Sequence, residues 1–264
     1  MDILTFILLA ILVFFASFLA SWVGLGGGVF YVPILVLLFG FSIKEEAVPL
    51  SLAMVLATSI GATITYYKNK KVVAKLGLFL APAILIGVIL GVYFHLHADE
   101  ATLLLLFSLV LFFTSIKIFA SPKRAYNGVE NEIFSFSSEK ILKKYLILTS
   151  LLCFLAGFFS ASLGIGGGVL FTPVLYLILC IPMRYSVATS SFMIVFTTTL
   201  GLILYGSFGE VDVGLALPLA VVAFFGAFSG SKFALIYVKV EFIRKLFAVI
   251  LLLVAIRMFI DSVF

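Results

Sequence analysis

The run Gly24-Leu-Gly-Gly-Gly28, followed by Pro33, returns as Gly164-Ile-Gly-Gly-Gly168, followed by Pro173, and both copies interrupt long apolar stretches. Glycine gives up more backbone freedom on ordering than any other residue, so three in a row inside a helix are costly unless the backbone needs them. A chain that repeats such a break is built around it. The offset that superposes the two copies also aligns Lys44 with Arg184, Ser51 with Ser191, Thr58 with Thr198 and Gly61 with Gly201. With a one-residue slip, Gly87 and Gly91 align with Gly226 and Gly230. Internal duplication accounts for matches spread over so much of the chain.

Composition identifies the solvent. Hydrophobic residues are 64% of the chain, charged residues 11%, and the mean hydropathy is +1.33; soluble domains are roughly half apolar and one-quarter charged. Several stretches of about 20 residues are nearly free of charge, enough to cross a hydrocarbon core of roughly 30 Å as helix. The short alternating strands of a membrane β-barrel do not appear in the pattern. The expected fold is therefore an all-α polytopic membrane protein.

Each half holds five apolar segments, near 3–23, 29–41, 47–67, 75–96 and 102–120, then near 144–163, 169–181, 187–206, 213–237 and 242–263. The second of each set would span only about 18–20 Å as helix. It reads as a half-helix, a tilted partial crossing or one arm of a re-entrant hairpin. The first segment has Asp2 in place of a basic leader and no clear cleavage site, so it is expected to stay in the protein.

Loop charges relate the halves. The loop with Lys68, Lys70, Lys71 and Lys75 reads as cytoplasmic, whereas its counterpart carries Glu210 and Asp212. The linker is also basic, with Lys123, Arg124, Lys140, Lys143 and Lys144, as is the loop with Lys239, Arg244 and Lys245. All three basic loops share one side if each half crosses an odd number of times. That arrangement gives inverted repeats, a secondary-transporter construction. The expected organisation is a first membrane repeat at 1–120, a cytoplasmic linker at 121–143 and a second repeat at 144–264, in the cytoplasmic membrane with both termini outside. The basic runs lack the interleaved aromatic residues of a nucleic-acid surface. The expected partners are thus the lipid bilayer and a small anion, with no nucleic acid; the sequence does not address oligomeric state.

Irregular backbone at membrane depth is tolerated where protein buries it or a watery cavity receives it. Helices restarting at Val29 and Val169 would present free N–H groups and a partial positive charge, which are anion-binding features. The glycines Gly24, Gly26, Gly27 and Gly28 and their counterparts Gly164, Gly166, Gly167 and Gly168 are therefore candidate substrate-binding residues. Close helix packing is the competing reading, and it suffices for Gly87, Gly91, Gly226 and Gly230. Candidate hydroxyls follow on the third segments: Ser51 and Thr58 in the first half, with Ser59 and Thr63, and Thr189, Ser190 and Ser191 in the second, with Thr197 and Thr198. Such hydroxyls also bond their own helix backbone, so substrate contact and local bonding both remain open. Lys44 and Arg184 are read either as headgroup anchors or as guides for anions at the two pathway mouths.

Enzymatic chemistry is not expected. Carboxylates sit at segment ends or in loops, and Cys153 and Cys180 lie within apolar segments as packing residues. The pair His95 and His97 reads as an interfacial cap at a segment end, so neither a metal site nor a cofactor is expected.

The doubled Gly-x-Gly-Gly-Gly-x4-Pro pattern, the segment Ala188-Thr-Ser190 and the closing run Leu246-Phe-Ala-Val-Ile-Leu-Leu resemble the TauE/SafE family of sulfite exporters. The resemblance covers the chain apart from the linker. It implies a permease for sulfur-containing anions or organic acids, such as sulfite, thiosulfate, sulfoacetate or other sulfonates. The first half carries Val48-Pro-Leu50 where the second carries Ala188-Thr-Ser190, so the site is expected to be weighted toward the second half.

Overall fold

A computed structural model describes residues 3–120, 139–179, 181–209, 211–237 and 252–260. Residues 121–138 of the linker, together with Cys180, Glu210, Lys239, Arg244, Lys245 and much of the last apolar segment, lie outside the described residues. Among the described residues all regular structure is helical. The helices are α1 (Ile3–Val23), α2 (Gly28–Leu38), α3 (Val48–Lys68), α4 (Ala74–His97), α5 (Glu100–Ala120), α6 (Glu139–Leu163), α7 (Gly168–Pro173), α8 (Met183–Ser207) and α9 (Val213–Tyr237). Residues 252–260 add a further helical stretch. The helix α6 runs from Glu139 to Leu163.

Five of these helices, α1, α3 with its lead-in, α4, α8 and α9, are long and apolar enough to cross a membrane. The two short segments are not. Gly28–Leu38 covers about 16 Å at about 1.5 Å per residue, half a hydrocarbon core. Its last turn, Ile34–Leu38, is π-helical, and so is Val174–Ile178 directly after α7. Both π turns begin at the residue after the motif proline.

The breaks follow from backbone conformation. Gly24, Gly26 and Gly27 have φ of 71°, 76° and 93°, and Gly164, Gly166 and Gly167 have 68°, 81° and 76°. That left-handed region is open to glycine and costly for residues with a Cβ. The fourth glycine of each motif has a different reason. A Cβ on Gly28 would collide with the Gly164 carbonyl oxygen and the Ile165 backbone, and one on Gly168 with the Gly24 carbonyl oxygen and the Leu25 backbone. The two breaks pack against each other, main chain on main chain.

The surrounding helices use the same device. A Cβ at Gly87 or Gly91 of α4 would strike the Phe154 or Phe158 carbonyl of α6, and one at Gly226 or Gly230 of α9 the Phe14 or Phe18 carbonyl of α1. Close approach through small residues replaces the hydrophobic driving force that lipid does not supply. The packing reading of these four glycines is the one the contacts support.

These contacts also correct the register between the halves. Val48 lies against Gly164 and Val187 against Gly24, yet the offset between the two valines is one position shorter than the offset between the two glycines. The same shorter offset relates two tyrosines: the Tyr66 hydroxyl donates to the Ser21 carbonyl at 2.7 Å and the Tyr205 hydroxyl to the Ala161 carbonyl at 2.9 Å. The extra residue of the first half sits in the π-helical turn Ile43–Ala47 that leads into α3, whereas α8 starts as plain α-helix. One added residue is what a π turn accommodates within a helix. Ser51 therefore corresponds to Ser190, not Ser191, and Thr58 to Thr197, not Thr198.

The Gly87→Ala variant is expected to lower the thermal stability of the detergent-solubilised protein by about 1–3 kcal/mol through overpacking. Gly206→Ala, which meets open space, is expected to stay within about 0.5 kcal/mol of the parent. Equal stability of the two variants in thermal denaturation would contradict the close α4–α6 contact.

Candidate functional site

The two breaks cross at the centre of the helical bundle, and a serine closes each of them. The Ser51 hydroxyl of α3 donates to the Gly164 carbonyl at 2.8 Å, and the Ser190 hydroxyl of α8 donates to the Gly24 carbonyl at 2.7 Å. Both serines are fully buried. Each helix that follows a break thus holds the break of the other half. In the second half Thr172 adds a bond to Ser190 Oγ at 2.9 Å and lies 3.3 Å from the Gly24 carbonyl. The first half has Val32 at that position.

Two aliphatic side chains lie over the crossing. A Cβ on Gly26 would sit 3.1 Å from both Val55 of α3 and Ile194 of α8, and the same two residues press on Gly166. The aromatic residue four positions after each third glycine completes the enclosure: a Cβ on Gly27 or Gly167 would fall 2.6 Å from the ring of Tyr31 or Phe171. Tyr31 then reaches Thr58, with its hydroxyl 2.6 Å from Thr58 Oγ1. The breaks are closed on one another here, and the cavity that an irregular backbone suggested is filled by the opposite break.

The arrangement has a defined electrostatic character. In the first turns of α2 and α7, Phe30 N and Leu170 N bond the Gly27 and Gly167 carbonyls at 2.9 and 3.0 Å. The N–H groups before them have no acceptor within their own helix, and both helices begin with the positive end of their dipole at the crossing. Two such ends facing each other are unfavourable alone. The Gly164 carbonyl oxygen lies against Gly28, where α2 begins, and the Gly24 carbonyl oxygen lies against Gly168, where α7 begins. Each half supplies the negative atom for the other's helix start.

The remaining candidates divide. The Thr189 hydroxyl accepts from Val73 N at 3.0 Å, which caps the start of α4. Ser191 bonds its own helix at the Val187 carbonyl, and Thr198 does the same at Ile194. Thr197 also bonds the Ile194 carbonyl at 2.8 Å and lies 3.4 Å from the Gly166 carbonyl. Ser59 Oγ, Thr63 Oγ1 and Trp22 Nε1 are buried with no hydrogen-bond partner among the described residues.

Lys44 and Arg184 do not meet. Lys44 lies in the turn that opens α3, whereas Lys71, just past its far end, places Nζ 5.0 Å over the ring of Tyr185, the neighbour of Arg184. The 21 residues of α3 separate them by about 30 Å. The end with Arg184 also carries Lys68, Lys70, Lys71 and Lys75. The opposite end holds a cavity of about 260 Å³ lined by Glu45, Glu46 and Asp212 with Phe41, Leu50 and Leu215. One end is basic and the other acidic.

The histidines are the hardest residues to read from sequence. His97 is exposed and bonds the Tyr93 carbonyl at 2.8 Å. His95 is not an interfacial cap: it is fully buried, with Nδ1 2.7 Å from the Ser162 carbonyl of α6 and Nε2 2.8 Å from the Lys44 carbonyl. A polar residue at the end of an apolar segment gives no sign of these long-range acceptors. Sequence reasoning also misses the tyrosine anchors Tyr66 and Tyr205, although their offset, one position short of the glycine offset, carries the corrected register.

The sequence profile of the family described as sulfite exporter TauE/SafE matches residues 9–258. Among curated proteins, the chain is 28% identical to "Probable membrane transporter protein YunE" of Bacillus subtilis, covering 86% of this chain and 88% of that one. It is 27% identical to a "Probable membrane transporter protein" of Haemophilus influenzae, covering 97% and 98%. It is 26% identical to "Sulfite exporter TauE/SafE family protein 2" of Arabidopsis thaliana over 53% of this chain and 30% of that one. No solved structure matches the chain.

The serine clamps carry an asymmetric expectation. Ser51→Ala is expected to destabilise the protein by about 1–3 kcal/mol, since it orphans a buried carbonyl. Ser190→Ala is expected to cost less, because Thr172 is placed to turn its hydroxyl to the Gly24 carbonyl. Ser191→Ala should change thermal stability by under about 0.5 kcal/mol. A larger loss at Ser191 than at Ser51 would contradict the corrected register.

Proposed function

The chain belongs to the sulfite exporter TauE/SafE family, and from that premise we propose that it is a secondary transporter of small sulfur-containing or organic anions such as sulfite, thiosulfate or sulfonates. Its two halves are inverted repeats, and the substrate binds where the two glycine breaks meet. The observation that carries this reading is that each half's break presents a carbonyl oxygen to the other's helix start. A bound anion takes the place of those oxygens. It then receives the N–H groups that open α2 and α7 ahead of Phe30 and Leu170, whose own N–H groups bond the Gly27 and Gly167 carbonyls, together with the hydroxyls of Ser51 and Ser190, released from the carbonyls they hold. No buried lysine is required, because backbone dipoles supply the charge complement.

The rest of the chain supports a path to that site. The basic end, with Lys71 and Arg184, raises the local concentration of anions. Among the described residues Ser59, Thr63 and Trp22 offer unpaired polar groups, each of which is costly to leave unmet in an apolar setting. Val55 and Ile194 press on the glycines, which favours a carrier that opens alternately over a permanently open anion channel. A carrier built this way saturates with substrate; a channel gives conductance without saturation.

Protein reconstituted in liposomes is expected to take up at least one member of a panel of sulfite, thiosulfate, sulfonates and carboxylates in a saturable manner. Folded protein that moves none of them would overturn the reading. Gly167→Leu is expected to abolish that uptake while the protein still inserts in the membrane, and retained uptake would place the site elsewhere.

A further inference from the structure

His95 joins three parts of the structure: α4, the lead-in to the second glycine break and the turn that opens α3. It stands near the end of α4 and is fully buried. Nδ1 is 2.7 Å from the carbonyl of Ser162, two residues before the second glycine break, and Nε2 is 2.8 Å from the carbonyl of Lys44, in the turn that opens α3. A carbonyl oxygen only accepts, and a neutral imidazole has one N–H and one bare lone pair. Two carbonyls at these distances are both satisfied only when both ring nitrogens carry a proton.

We propose that His95 is a protonation-dependent clamp: doubly protonated, it ties α4 to the lead-in of the second glycine break and to the lead-in of α3, and loss of one proton releases the break. The proton leaves Nε2, whose bond is the less buried of the two, and passes to water. The lone pair left behind faces the Lys44 oxygen, and their repulsion lifts the π-helical turn Ile43–Ala47. Ser51 rides on the helix that this turn begins, so its bond to the Gly164 carbonyl is the one that yields. In the corrected register the counterpart of His95 is Ala234, so the clamp acts on one half alone. His95 is a positioning residue, since it acts on the site through the backbone of α3 and α6.

Titratable and charged groups reach its surroundings from each packed element. From α8, Tyr205 meets the imidazole edge to face at 5.2 Å, and its hydroxyl donates to the Ala161 carbonyl. The opening turn of α3 brings Lys44, Glu45 and Glu46, and α5 brings Glu100, whose carboxylate accepts from Ile43 N at 3.1 Å. On α6 the titratable group upstream of Ser162 is the buried Cys153, and beyond His95 come His97 at the end of α4 and Asp99 after it.

The test uses the full chain in liposomes. The protein has two histidines, so His97→Gln leaves His95 as the only imidazole. Solid-state NMR of its ¹⁵N-labelled ring is expected to show both nitrogens protonated at neutral pH, converting to one neutral tautomer as pH rises. A single neutral tautomer at neutral and mildly acidic pH would overturn the clamp. The transport arm rests on the proposed anion carrier and uses thiosulfate as the probe. Uptake by the parent and by His97→Gln is expected to rise about tenfold per pH unit on the flank of the transition, and His95→Gln is expected to lose that rise. An unaltered pH profile in His95→Gln would also overturn the clamp. If the parent moves no anion of the panel, the carrier reading fails, and the NMR spectrum still decides the state of His95.

Discussion

The contact on which the structure depends is main chain against main chain, where Gly28 meets the Gly164 carbonyl and Gly168 meets the Gly24 carbonyl. Nothing with a Cβ fits at either place, and three further glycines in each motif adopt left-handed backbone to bring the chain there. In a bilayer such a departure from helix is tolerated only if its polar groups are met from within the protein. Ser51 and Ser190 meet the two carbonyls. The positions of α3 and α8 follow from that requirement, and α2 is short because it begins at the break and not at a helix end beyond it.

Much of this is legible in the sequence because it is periodic or compositional. The apolar lengths give the class, and the doubled glycines and prolines give the breaks and their equivalence. The register of the third helices is not legible to the residue. A π turn adds one residue without altering which stretches are apolar, so the slip shows only in single residues downstream of its origin at Ile43–Ala47, in Tyr66 with Tyr205 and then in Gly87 and Gly91 with Gly226 and Gly230. One residue on a helix is about 100° of rotation. That separates Ser190, which closes the first break, from Ser191, which bonds its own helix. The apparent imbalance of hydroxyls between the halves disappears for the serine that matters, and the true inequality lies in Thr172 and Tyr31.

Side-chain roles set by distant partners are the least accessible. Thr189 reads as a substrate hydroxyl, and its oxygen also caps α4 from another helix. His95 reads as a headgroup neighbour and is enclosed by α6, α8 and the α3 lead-in. In both cases the partner is a backbone group remote in sequence, and local pattern carries no trace of it. Lys44 and Arg184, by contrast, lie at opposite ends of α3.

The central claim is that the breaks hold each other closed with their own carbonyl oxygens and open to accept an anion in their place. The direct measurement is a structure of the full chain in a lipid nanodisc, determined by electron cryomicroscopy with a transported anion present. The account predicts an anion between Gly28 and Gly168, with Ser51 and Ser190 turned toward it and the two breaks drawn apart. An anion bound elsewhere, with Gly28 still seated on the Gly164 carbonyl, would contradict it.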